Sequence, residues 1–244
     1  KMGIHANATC IMNYDSATGY LLGEKHQGLK AMFTMMNNAR LNVGVQGIAI
    51  AERSYQKALS FSKERKQGSS INKNNKETVK IIEHPDVKRM LMEMKSQVEA
   101  MRGLAVITGE MIDYSKNLSN TEEGKHYLNL SSLLTPIVKS WCTDQAVHIT
   151  SLGIQVHGGM GFIEDTGAAQ YFRDSRILPI YEGTNGIQAL DLLKRKLFLE
   201  NGKTLEKLIE KMKKDSDECK NSSVIEISQI GNLMDSSIKS LENG

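Results

Sequence analysis

Proline, cysteine and tryptophan are scarce in this 244-residue chain, at three, three and one. So few prolines leave room for long uninterrupted helices. The cysteines, Cys10, Cys142 and Cys219, lie far apart and match neither a zinc spacing nor a disulfide framework. They read as free thiols in a reducing compartment, the cytoplasm or, in a eukaryote, the mitochondrial matrix. No apolar stretch reaches the length of a membrane span, and no signal peptide opens the sequence. An excess charge of only +3 argues against a dedicated nucleic-acid binder. What is plentiful is methionine: thirteen against five Phe point to a helical core filled by flexible thioethers. The sequence opens on Lys1, inside what reads as a strand, so the chain is expected to be part of a longer protein.

Residues 1–26 are short apolar runs broken by turns. Ala8 to Asn13 and Gly19 to Leu22 flank a turn-forming stretch and predict a strand pair, the end of a larger β domain. From Gln27 the period changes. Leu29, Met32, Phe33, Met36, Val43, Gly47, Ile50, Ser54, Ala58 and Phe61 form the stripe of a long helix. Gly44 and Gly47 within it predict a close helix neighbour or a kink. The polar stretch 67–80 reads as a mobile loop.

His84-Pro85-Asp86 opens a second helix striped by Met90, Leu91, Met94, Val98 and Met101. After a linker at 119–124, a third carries Leu130 to Leu152, with Pro136 as an expected kink. Shorter helices are expected over 167–177 and from Thr184 to Leu199. The reading is mainly α: an antiparallel helical bundle over 27–200, preceded by strands in 1–26 and followed by a helical segment over 201–244. In that last segment lysines 211, 213 and 214 alternate with acids and read as a solvated face.

The densest chemistry lies in residues 154–188, IQVHGGMGFIEDTGAAQYFRDSRILPIYEGTNGIQ. Gly158, Gly159 and Gly161 let backbone approach a ligand closely, or form a plain helix end and turn. Glu182 sits among Ile177, Leu178, Ile180 and Ile187. Apolar surroundings there would raise the basicity of its carboxylate; the alternative is a solvated loop acid, with Thr184 capping the next helix. His157 reads as a helix-end histidine, His148 as a buried-face one, and Arg173 with Asp174 as an ion pair. No metal-ligating set stands out.

This segment resembles the C-terminal domain of acyl-CoA dehydrogenases, where a Q-x-x-GGxG motif, an Arg-Asp pair and YEGT follow at nearly this spacing. Residues 35–68, MMNNARLNVGVQGIAIAERSYQKALSFSKERKQG, are similar to that family's first C-terminal helix. The resemblance runs from about Met2 to Leu199. The stretch at 67–83 and the tail past 200 are similar to the large subgroup that includes the 3-methylmercaptopropionyl-CoA enzymes.

The resemblance implies FAD as cofactor, an acyl-CoA thioester as substrate, an electron-transfer acceptor, and a homodimer or homotetramer. It makes Glu182 the catalytic base and places Gly183 and Arg40 at the substrate. Asn37 stands where many members carry a substrate-contacting Asp. Arg65, Gln155, Gly158 and Gly159 fall at positions that hold the flavin nucleotide of a neighbouring subunit. Thr184 fits a flavin-contacting position, and Gly186 keeps only a backbone contact where some members have Gln. Two other readings stay open: a flavoprotein of the same fold that binds nucleic acid or another partner, and a non-catalytic helical association fragment.

Overall fold

The computed structural model describes residues 1–70 and 77–243, apart from the side chain of Asn37. Three long helices dominate: α1 (Gly28–Glu64), α2 (Pro85–Asn117) and α3 (Glu122–His157). Between the first two lie strands β1 (Lys66–Ser69) and β2 (Thr78–Lys80), paired antiparallel. Four shorter helices follow: α4 (Ala168–Ser175), α5 (Asn185–Asp191), α6 (Lys203–Lys220) and α7 (Ile225–Glu242). The expectation of a mainly helical protein therefore holds.

The chain divides into two compact units, residues 1–108 with 135–189, and residues 109–134 with 190–244. In the first, the core joins α1 (Ala51, Ala58), α2 (Met94, Val98, Met101) and α3 (Val138, Cys142, Ala146, Ile149). The methionines do fill this core; Met94 and Met101 are fully buried. Gly44 and Gly47 answer to a close helix neighbour, which is α3. A Cβ on Gly47 would stand 2.8 Å from the carbonyl oxygen of Cys142, and one on Gly44 would stand 2.6 Å from the Val138 side chain.

Helix ends follow their sequence signals. Pro85 and Asp86 occupy the first turn of α2. The Thr121 hydroxyl accepts from the backbone N–H of Gly124 at 3.0 Å, capping α3. That helix runs unbroken through Pro136.

In the second unit, the Ser216 hydroxyl donates to the carbonyl oxygen of Gly231 at 2.8 Å. A Cβ on Gly231 would lie 2.6 Å from the Lys220 nitrogen, so α6 and α7 meet backbone to backbone there. Lys211 and Lys213 pair with Asp215 and Glu242, as a solvated charged face requires.

Four expectations need correction. Residues 8–13 and 19–22 form no strand; they are irregular and exposed, with Ile11, Tyr20 and Leu22 in solvent. An isolated strand pair has no apolar face to bury and does not hold together. The segment 67–80 is not simply a loop, because its described ends form β1 and β2, while 71–76 lie outside the described residues. His148 is exposed and pairs with Glu93 at 2.7 Å. Arg173 pairs with Glu164 at 2.5 Å, whereas Asp174 accepts from the backbone N–H of Ile4 at 2.6 Å.

Candidate functional site

Two places gather the residues singled out by sequence. The first is the turn between α4 and α5, Tyr181 to Thr184. Glu182 adopts φ +54° and Gly183 φ +84°, the left-handed region that disfavours ordinary side chains. Glycine is required at 183 for a second reason: an added Cβ would lie 2.8 Å from the side-chain nitrogen of Gln188. That amide explains how the strained turn persists. Gln188 is fully buried and donates to the carbonyl oxygens of Glu182, at 3.3 Å, and Gly183, at 3.2 Å.

On the far side of the turn, Asn185 starts α5 and is tied to α3. Its amide donates to Asp144 at 2.8 Å and to the Thr143 hydroxyl at 3.0 Å, and its oxygen accepts from the Lys139 amine at 2.8 Å. Thr184 is exposed and caps α5 through the backbone N–H of Ile187, at 3.3 Å. Gly186 is exposed beside it, and the Tyr181 hydroxyl donates to the Gln46 side chain of α1. Glu182 itself is half-exposed rather than sealed in an apolar pocket.

Arg40 is 4% exposed, and Lys139 is fully buried. Burial pushes the Lys139 pKa down from 10.5 to about 8, Asp144 and Glu182 opposing and Arg40 adding to the shift. Arg40 and Glu182 thus both act on the charge of Lys139. Asn37 belongs to α1, but its side chain lies outside the described residues.

The second place is a cavity of about 620 Å³ at the C-terminal end of α3. Arg65, Gln155, Gly158 and Gly159 all line it, so four residues separated by up to ninety-four positions share one wall set. Thr184 and Gly186 do not line it. Gly158 has φ +59°, and a Cβ on Gly158 or Gly159 would meet nothing within 4 Å, so both glycines leave the cavity open. β1 supplies another wall through Gln67 and Gly68, and the His84 ring bonds the Gln67 carbonyl at 2.7 Å.

His157 also lines this cavity, stacked on Phe61 at 4.5 Å between ring centroids and bonded to the Gly153 carbonyl at 2.7 Å. Burial lowers its pKa, which favours the neutral ring. Sequence reasoning missed Lys139, Asn185, Gln188 and His84. A lysine inside the apolar run Ile137-Val138-Lys139-Ser140-Trp141 was the available signal for the first. Among the described residues, no cluster of side chains could hold a metal ion.

Residues 26–197 match the family described as acyl-CoA dehydrogenase, C-terminal domain. The chain is 50% identical over 211 residues to 3-methylmercaptopropionyl-CoA dehydrogenase of Ruegeria pomeroyi, covering 86% of this chain and 36% of that protein. It is 36% identical over 215 residues to a butyryl-CoA dehydrogenase of Syntrophomonas wolfei, covering 85% and 35%. The solved butyryl-CoA dehydrogenase of Megasphaera elsdenii matches with a TM-score of 0.57 at 26% identity, over 72% of this chain and 40% of that one. The chain therefore spans about a third of the length of these first two relatives. A family match over residues 26–197, most of the chain, is decisive: the chain belongs to the acyl-CoA dehydrogenase family, whose C-terminal domain it carries.

Proposed function

We propose that this chain supplies the catalytic base and part of the cofactor site for α,β-dehydrogenation of an acyl-CoA thioester. The observation that carries the reading is the Tyr181–Thr184 turn, which holds Glu182 at a strained φ of +54° beneath the buried Gln188 clamp. Backbone strain of this kind costs on the order of 1–3 kcal/mol and persists where the surroundings over-determine it.

Glu182 takes the α-proton of the substrate onto a carboxylate oxygen. The α-carbon of a thioester is a weak acid, so the developing enolate oxygen needs hydrogen-bond donors, and the backbone N–H of Glu182 is one within the same turn. Gly183 leaves space for the acyl group, and Arg40 is the residue assigned to the CoA portion, with Asn37 at the position where many members carry a substrate-contacting Asp. FAD, when bound, supplies the acceptor for the hydride leaving the β-carbon.

Residues able to hold that cofactor are Arg65, Gln155, Gly158 and Gly159 at the cavity, with Thr184 and Gly186 at the turn. The cavity supports the assignment: two glycines without side chains open it, and a guanidinium stands at its edge, suited to a pyrophosphate. Assembly as a homodimer or homotetramer and transfer of electrons to a separate acceptor are both part of this reading. The 50% identity to an enzyme named for 3-methylmercaptopropionyl-CoA makes that thioester the first substrate to assay.

The test is anaerobic mixing of acyl-CoA with the FAD-loaded protein that carries this chain. Glu182→Gln should keep FAD bound yet abolish bleaching of the flavin by substrate. Bleaching at the parent rate removes Glu182 from the role.

A further inference from the structure

Lys139 is the largest fully buried side chain among the described residues, and nothing in the dehydrogenation chemistry calls for it. It sits mid-helix in α3 among Val138, Cys142 and Leu134 positions that are apolar. A lysine there is costly unless its amine is partnered. Its partner is the Asn185 side-chain oxygen at 2.8 Å. Asn185 spends its remaining capacity on α3 as well, donating to Asp144, Thr143 and the Ser140 carbonyl. Its own backbone N–H bonds the Pro179 carbonyl at 3.0 Å, closing the turn that contains Glu182. Asn185 thus joins a buried amine, through its side chain, to the Pro179 carbonyl, through its backbone, across the five residues between them.

Resting on the reading of Glu182 as the base, we infer that Lys139 is a positioning residue: through Asn185 it anchors the 181–184 turn to α3 and ties the aim of Glu182 to its own amine. The charged groups that act on that amine are Asp144 on its own helix, Arg40 on α1 and Glu182 on the turn. Opening of the turn would admit water to the amine and restore its ordinary basicity. Burial has lowered that basicity, so by linkage the closed turn is favoured as Lys139 loses its proton. Tyr181, the other basic-range group beside the turn, is pushed above its ordinary value by burial and by Glu182, so it titrates later.

Nuclear magnetic resonance of the protein that carries this chain, without substrate, tests the inference. The backbone amide signals of Gly183 and Asn185 should move with the titration of the Lys139 amine. After correction for intrinsic rates, exchange of the Asn185 amide should slow as that titration proceeds. In Lys139→Met the titration of both signals disappears, and Asn185 exchange quickens by about tenfold, one hydrogen bond's worth, while the core amide of Ile149 keeps its protection. Asn185→Ala, on a half-exposed residue, guards against a variant that fails to fold; it should displace the Lys139 titration midpoint. Gly183 and Asn185 signals indifferent to Lys139, or an Asn185 amide unaffected by Lys139→Met, overturn the inference. A failed anchor leaves the base assignment standing, and an active Glu182→Gln enzyme leaves the anchor measurable.

Discussion

The buried side-chain amide of Gln188 donates to the carbonyl oxygen of Glu182 at 3.3 Å, so a residue one helical turn into α5 fixes the backbone of the proposed base. Gln188→Leu would keep the volume and lose both bonds to the turn. The two carbonyls would be left to water or unpaired, a cost on the order of 1–3 kcal/mol. Urea unfolding of the two proteins should show a lower midpoint with an unchanged slope.

Gly47→Ala should destabilise by about 1–3 kcal/mol, the usual result of forcing a group into a packed helix contact. The obstacle is backbone, the Cys142 carbonyl oxygen at 2.8 Å, and cannot swing aside. Thermal unfolding checks this. Gly103→Ala, on a helical glycine with open space around it, is the matched control and should be neutral or stabilising.

The charge of Lys139 gives stability a definite pH dependence. Its folded pKa, about 8, lies below its ordinary 10.5, so the unfolded chain holds more protons between those values. Stability contributed by this residue therefore rises as pH climbs through that window. Cys142 acts in the opposite direction, because burial pushes its thiol from 9 up to about 12. Its contribution falls only above its unfolded value. Urea titrations between about pH 8 and 9 isolate the lysine, and Lys139→Met should flatten the slope there.

Gly159→Leu should fill the α3 cavity without straining the fold, because nothing lies within 4 Å of the added Cβ. The expected outcome is an unchanged melting temperature with FAD affinity lowered at least tenfold, about 1.4 kcal/mol. A titration calorimeter measures the second quantity directly.

Much of this was legible in the sequence, and the reasons for the rest are physical. Long helices announce themselves through three- and four-residue periodicity, so α1, α2 and α3 came out close to their observed bounds. Gly44 and Gly47 pointed to a neighbour because small residues in a helix serve close approach. The strands expected in residues 1–26 failed because short apolar runs form a stable sheet only when another layer buries them. β1 and β2 were hidden because their residues are polar; their pairing rests on backbone bonds and on packing of Val79 and Ile81.

Site residues divide the same way. Glu182 and the glycines lie in a dense local motif. Lys139 and Asn185 are forty-six positions apart, and only folding makes them partners. A lysine on an apolar stripe ordinarily extends its amine to solvent, which is why Lys139 drew no notice. His148 lies one position before the fully buried Ile149, and its partner Glu93 comes from another helix.

The central claim is that the carboxylate of Glu182 removes the substrate's α-proton. The most direct measurement is deuterium uptake at the α-carbon of an acyl-CoA in heavy water, catalysed by the protein that carries this chain. The account predicts uptake with the parent protein and a fall on the order of a hundred- to ten-thousand-fold in Glu182→Gln that still holds FAD. Uptake by that variant at the parent rate would contradict it.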